Sequence, residues 1–118
     1  MKKKSEITDE FINNTIAKGK PYCIRLYKAG PDRDQSPEEE EKIQTEHLRY
    51  LMKLRAEGIL LVSGPVIDDF ILKGIGIFNT SESEVVKKLC DEDPAVKAGR
   101  LVYEIYHWFG FPGDCLPE

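Results

Sequence analysis

Apolar and polar positions alternate along PYCIRLYK, residues 21–28, with Ile24 and Leu26 on one side and Arg25 and Tyr27 on the other. A period of two in β-branched and aromatic residues behind a proline predicts a strand. The loop AGPDRDQSP, 29–37, follows. From there the period lengthens. Ile43, His47, Leu51 and Leu54 recur at spacings of four, four and three, the pattern of one helix face. Ser36-Pro37-Glu38-Glu39 marks the start, with a capping serine, a proline at the first helical position and Glu39 placed to close a capping box. The helix runs to Glu57 and stops at Gly58.

ILLVSGP, 59–65, reads as a buried strand, VIDD, 66–69, as a link, and FILKGIGIFNT, 70–80, as the next strand. Gly74 and Gly76 share a face of that strand, which marks a bend or the close approach of another group. Ser81 and Glu84 repeat the capping-box pattern and predict a second helix with Val85, Val86 and Leu89 inward. Asp93, before Pro94, suits the N-cap of a short turn over Pro94–Ala98 that Gly99 stops. RLVYEIYHWF, 100–109, is the last strand. Ahead of all this, SEITDEFINNTIAK, 5–18, predicts a weak amphipathic helix on Ile7, Phe11 and Ile16, stopped by Gly19.

The order is β-α-β-β-α-β behind an extra N-terminal helix. It predicts an α+β, ferredoxin-like fold with one antiparallel four-stranded sheet and two helices on one face. The division is an N-terminal helical extension over 1–20, the ferredoxin-like domain over 21–109 and a tail over 110–118. Both faces of the last strand are apolar, with Leu101, Tyr103 and Ile105 on one and Val102, Tyr106 and Trp108 on the other. A bare sheet face of this kind implies a second copy covering it, most simply in a two-fold homodimer or a higher assembly built from it.

At 118 residues the chain is one domain. A net charge of −4 argues against nucleic acid as a partner. No apolar run reaches membrane-span length, and the basic start MKKK lacks the apolar segment of a signal peptide. Cys23, Cys90 and Cys115 form neither a disulfide framework nor a metal motif, which fits reduced thiols in a cytoplasmic protein with no metal and no cofactor.

Two histidines offer acid/base chemistry. His47 lies on the apolar stripe and points at the sheet, where a histidine is more often a packed core residue than a catalyst. His107 reads as a surface or interface residue. Asp93 reads first as a cap. If it also faces His47, it fixes the imidazole tautomer and frees the other ring nitrogen to move a proton. Arg25 either holds an anionic substrate or, as the default, pairs with an acid across an interface. Ser63-Gly64-Pro65 is no nucleophile elbow, and GIG at 74–76 is no dinucleotide loop.

Two stretches, EHLRYLMKLRAEGILLVSGP at 46–65 and DEDPAVKAGRLVYEIYHW at 91–108, together resemble the YciI-like family. The resemblance rests on His47, Leu51, Leu54 and Gly58 in the helix, then Gly64-Pro65, Asp93-Pro94, Ala98-Gly99 and Trp108, and it covers about 21–109. It implies a dimeric α+β barrel with a pocket in which a His and an Asp meet, here His47 and Asp93. The family's characterised branch resembles a dehydrochlorinase acting on a chlorinated hydroxyhydroquinone. Ala95 departs from the pattern, standing where the family usually has an aromatic, which reshapes the pocket. Segments 1–20 and 29–37 are longer than in compact members.

The expected function is therefore small-molecule enzymology without a cofactor. His47 and Asp93 act as a general acid/base pair for proton abstraction or elimination, and Ser63, Gly64, Pro65 and Arg25 line the substrate site. The alternative is a non-catalytic binding or accessory dimer with His47 in its core. A heme or oxygen-dependent monooxygenase of the same barrel type is a third reading, which no cofactor-specific residue favours.

Overall fold

The computed structural model describes residues 6–118. The elements run α1 (Asp9–Ala17), β1 (Lys20–Ala29), α2 (Pro37–Ala56), β2 (Leu60–Pro65), β3 (Leu72–Phe78), α3 (Ser83–Asp91), α4 (Pro94–Lys97) and β4 (Leu101–Gly110). The basic start and the first residue of the expected N-terminal helix lie outside the described residues. The strands form one antiparallel sheet in the order β2-β3-β1-β4, the ferredoxin-like arrangement that the element order predicts.

Caps explain most of the boundaries. Ser36 Oγ accepts from Glu39 N at 3.2 Å to open α2, and Gly58 closes it at a φ of 75° that only glycine adopts without strain. Asp93 opens α4 and Gly99, also at φ 75°, follows it. α3 differs from expectation. Its N-cap is Glu82, without a side-chain cap bond, because Thr80 Oγ1 accepts from Glu82 N and carries the turn one residue further. The Ser81–Glu84 capping box therefore does not open the helix; Val86 and Leu89 face inward as expected, Cys90 joins them, and Val85 turns outward. β3 starts late as well. Asp69 Oδ1 accepts from both Ile71 N and Leu72 N, a local turn that keeps Phe70 and Ile71 out of the sheet. These two bonds, Leu72's first, also hold the Asp69 carboxyl below its ordinary pKa.

Cross-strand register assigns the faces. Cys23, Arg25 and Tyr27 pair with Phe78, Gly76 and Gly74, and these six residues are buried. The interior around them is Leu54 from α2, Leu60, Val86 and Cys90 from α3, Ala95 and Leu101. On the other face Ile24 and Leu26 are half-buried, while Ile75, Val102, Tyr106 and Trp108 are exposed. The tail folds back there, so that Phe111–Leu116, Tyr22, Val62, Ile77 and Trp108 enclose an apolar hollow. α1 has no buried residue, and its stripe of Ile7, Phe11, Ile12 and Ile16 lies exposed.

Candidate active site

A cavity of about 310 Å³ opens between α2 and the C-terminal half of β1, flanked by the end of β2 and the α4–β4 connection. Position 47 lies four residues from each apolar neighbour of its stripe, so the helix directs His47 onto the sheet, where it lines the cavity. Asp93 is brought there by Pro94, which favours extended geometry for the residue before it, and by the cap that this geometry permits.

The carboxylate of Asp93 is fully buried and receives three groups. Tyr27 Oη donates to Oδ2 at 2.6 Å, Ala95 N donates to Oδ1 at 2.9 Å, and His47 Nδ1 lies 2.8 Å from both oxygens. A carboxylate only accepts, so the His47 bond requires the proton on Nδ1. The neutral ring then carries its lone pair on Nε2, which has no hydrogen-bond partner among the described residues. Asp93 is thus both a helix cap and the partner of His47. The Tyr27 ring packs against the imidazole, 5.8 Å between centroids, and burial holds the Tyr27 hydroxyl far above its ordinary pKa.

Arg25 also lines this cavity, only 2 % exposed. The default of an interface acid does not hold, because Arg25 shares the helix-covered face with Cys23 and Tyr27. Its guanidinium carbon stands 3.7 Å from the Tyr27 ring centre, and burial lowers its pKa. Nε and Nη1 are buried with no hydrogen-bond partner among the described residues. Such orphaned donors cost about 1–3 kcal/mol each, more when charged. Gly76 makes the room. A Cβ there would lie 2.8 Å from the guanidinium carbon, which is the close approach that the Gly74–Gly76 spacing signals.

Ser63, Gly64 and Pro65 from β2 line the same cavity, as does Ala95, whose small side chain keeps that wall open. His107 is exposed on β4 and takes no part. Sequence reasoning missed the cationic rim of Arg33, Arg55, Lys73 and Arg100. Loop 30–36 supplies Arg33 by running along the α4–β4 connection, where Gly30 N donates to Arg100 O and Asp32 N to Gly99 O. Arg33 Nη1 donates to that same Arg100 carbonyl, and Arg100 donates to Gln35 Oε1 at 2.7 Å. Lys73 sits where the β1–β3 register slips between Tyr27 and Lys28. Among the described residues no carboxylate lines the cavity, although Glu40 pairs with Arg100 from outside at 3.4 Å and the chain as a whole carries −4. Among the described residues no three His, Cys, Asp or Glu side chains gather as a metal site, and no helix is long and apolar enough to cross a membrane.

A family model described as YCII-related domain matches residues 21–109. Among solved structures, 5-chloro-2-hydroxyhydroquinone dehydrochlorinase (TftG) from Burkholderia phenoliruptrix AC1100, in complex with 2,5-dihydroxybenzoquinone, aligns at a TM-score of 0.53 with 22 % identity. That alignment covers 72 % of this chain and 92 % of the other. Muconolactone isomerase aligns at a TM-score of 0.62 with 10 % identity, over 82 % of this chain and 97 % of the other. At these identities the likeness carries the fold. No curated protein matches by sequence.

Proposed function

Because the chain belongs to the YCII-related domain family, we propose that it is a small-molecule enzyme in which His47 is the general acid/base and Asp93 its orienting partner. The observation that carries the reading is the Asp93 carboxylate bound to Nδ1 of a histidine whose Nε2 is unpartnered at a cavity. In the proposed reaction Nε2 takes a proton from a substrate carbon. The C–H electron pair becomes a new double bond as a leaving group such as chloride departs with its own pair. Alternatively, the proton returns to a different carbon and the product is an isomer. Elimination and isomerisation thus share their first step, which fits a fold found in both a dehydrochlorinase and an isomerase. A positioned acid/base group supplies about 10²–10⁴-fold in rate, and the apolar walls and Ser63-Gly64-Pro65 orient the substrate for the remainder.

The test is proton exchange. A chlorinated hydroxyhydroquinone and muconolactone are incubated with the protein in D₂O, and loss of carbon-bound ¹H is followed by NMR. Exchange or chloride release that vanishes in His47→Asn supports the enzyme. Tight binding of either compound without exchange favours the non-catalytic binding module.

We further propose a cytoplasmic homodimer formed through the open sheet face. Its support is the exposure of Ile75, Val102, Tyr106 and Trp108 on one sheet face, broken by the Lys28–Glu104 ion pair. Sedimentation of the wild type beside Trp108→Asp checks it. The wild type is expected at twice the chain mass and the variant at once.

A further inference from the structure

Acid/base chemistry has no need of a buried arginine with spare donors. Arg25 is held in a slot, with the Tyr27 ring on one side at 3.7 Å, Gly76 against the guanidinium and Phe78 at 5.6 Å. No acid hydrogen-bonds to it among the described residues, although the Asp93 carboxylate lies near enough to act on it electrostatically. With Nε and Nη1 closed off, the guanidinium meets the cavity through Nη2, which can give a carboxylate a charge-assisted hydrogen bond.

We propose that Arg25 anchors a carboxylate of the substrate, so that the site takes a small monocarboxylate with an apolar body about one ring in size. The proposal rests on the reading of this cavity as a substrate site, and it deepens that reading by naming the substrate class. One N–H donor in a slot walled by rings suits the single small anionic group of a monocarboxylate. Leu48, Leu51, Met52 and Leu101 supply apolar walls, and about 310 Å³ lies at the small end of ligand cavities. Arg25 and His47 flank the same ring, the guanidinium carbon 3.7 Å and the imidazole centre 5.8 Å from the Tyr27 centroid. A single-ring acid held by Arg25 therefore occupies the cavity that His47 also lines. The outer cations, Arg33, Arg55, Lys73 and Arg100, draw anions to the mouth.

Calorimetric titration at low salt tests this with benzoate, cyclohexanecarboxylate and 4-hydroxybenzoate, each beside its neutral primary amide, and with inorganic phosphate. At least one acid should bind the wild type about ten- to a hundredfold more tightly than its amide. Arg25→Met should lose that preference while its ligand-free Tm rises, since a buried charge with unsatisfied hydrogen-bond donors has gone. Arg25→Lys should keep part of the preference. Leu60→Ala, outside the cavity lining, should keep all of it. The proposal is overturned if no acid outbinds its amide, if the preference survives Arg25→Met, or if phosphate binds and the carboxylates do not. A carboxylate preference beside a failed exchange test would sink the enzyme reading alone.

Discussion

One face of the sheet covers two unlike interiors. Around Cys23 at the start of β1 lie Leu60, Phe78, Val86 and Cys90, each no more than 1 % exposed, an ordinary dry apolar core. Two to four residues further along the same strand, under the same α2, the buried set is Arg25, Tyr27, His47 and Asp93. The first half follows the rule that apolar groups fill interiors. The second breaks it three times with ionisable groups, leaves donors unpaired and keeps a cavity. Strands β1 and β3 and helix α2 are shared, while α3 serves the first half, α4 with its cap serves the second, and the β1–β3 register slips only beside the second. Local departures from core chemistry within a consistent fold are where function concentrates.

The contrast breaks most visibly at His47. His47→Asn should lower the exchange rate by about 10²–10⁴-fold while circular dichroism shows the fold intact. A loss below tenfold would place the chemistry elsewhere. Stability experiments then compare the two halves. Asp93→Ala strands three donors at once and should cost about 3–5 kcal/mol in urea unfolding. Leu60→Ala in the apolar half should cost about 2–5 kcal/mol through its cavity, yet leave the preference for acids over amides untouched. If Leu60→Ala abolishes that preference, the halves are not separable.

These halves were unequally legible in the sequence. The helix stripe set His47 against the sheet, and Pro94 with Gly99 framed Asp93 as a cap. Their contact spans 46 positions, so no local pattern reports it. Tyr27 joins both through its hydroxyl and its ring, and its place two residues from Arg25 was the available clue. Burial preference would turn Ile24 and Leu26 inward over Arg25 and Tyr27, and the chain does the reverse. Gly74 and Gly76 held the signal, since they pair with Tyr27 and Arg25 and leave them space. The cationic rim was invisible because loop 30–36, α2, β3 and the α4–β4 connection each contribute one cation, and only tertiary structure gathers them. The shift of α3 escaped because Thr80, Ser81 and Ser83 all suit a cap, and the Thr80 turn decides among them.

Gly76→Ala sharpens the boundary between the halves. Its Cβ must displace the guanidinium, so overpacking should cost about 1–3 kcal/mol, and the preference for acids should fall with it. In an Arg25→Met background the stability cost should shrink, and the difference between backgrounds measures the coupling. An unchanged cost would mean that Gly76 serves the backbone and not Arg25.

The smallest effect concerns the cysteines, with Cys90 placed where the apolar half meets Tyr27. Burial pushes the Cys90 thiol up to about 11 and raises that of Cys23, whereas Cys115 is exposed in the tail. Thiolate is the reactive form, so at about pH 8 a raised pKa and a closed surface act together against attack. A thiol reagent should therefore label one cysteine rapidly in the native protein and all three in denaturant. Unfolding and refolding set the rate for the other two, which should follow stability, so Leu60→Ala speeds them and His47→Asn does not. Fast native labelling of Cys90 would show that the apolar half opens locally, and a half that opens without global unfolding could not be the rigid support on which Arg25 and Tyr27 are held.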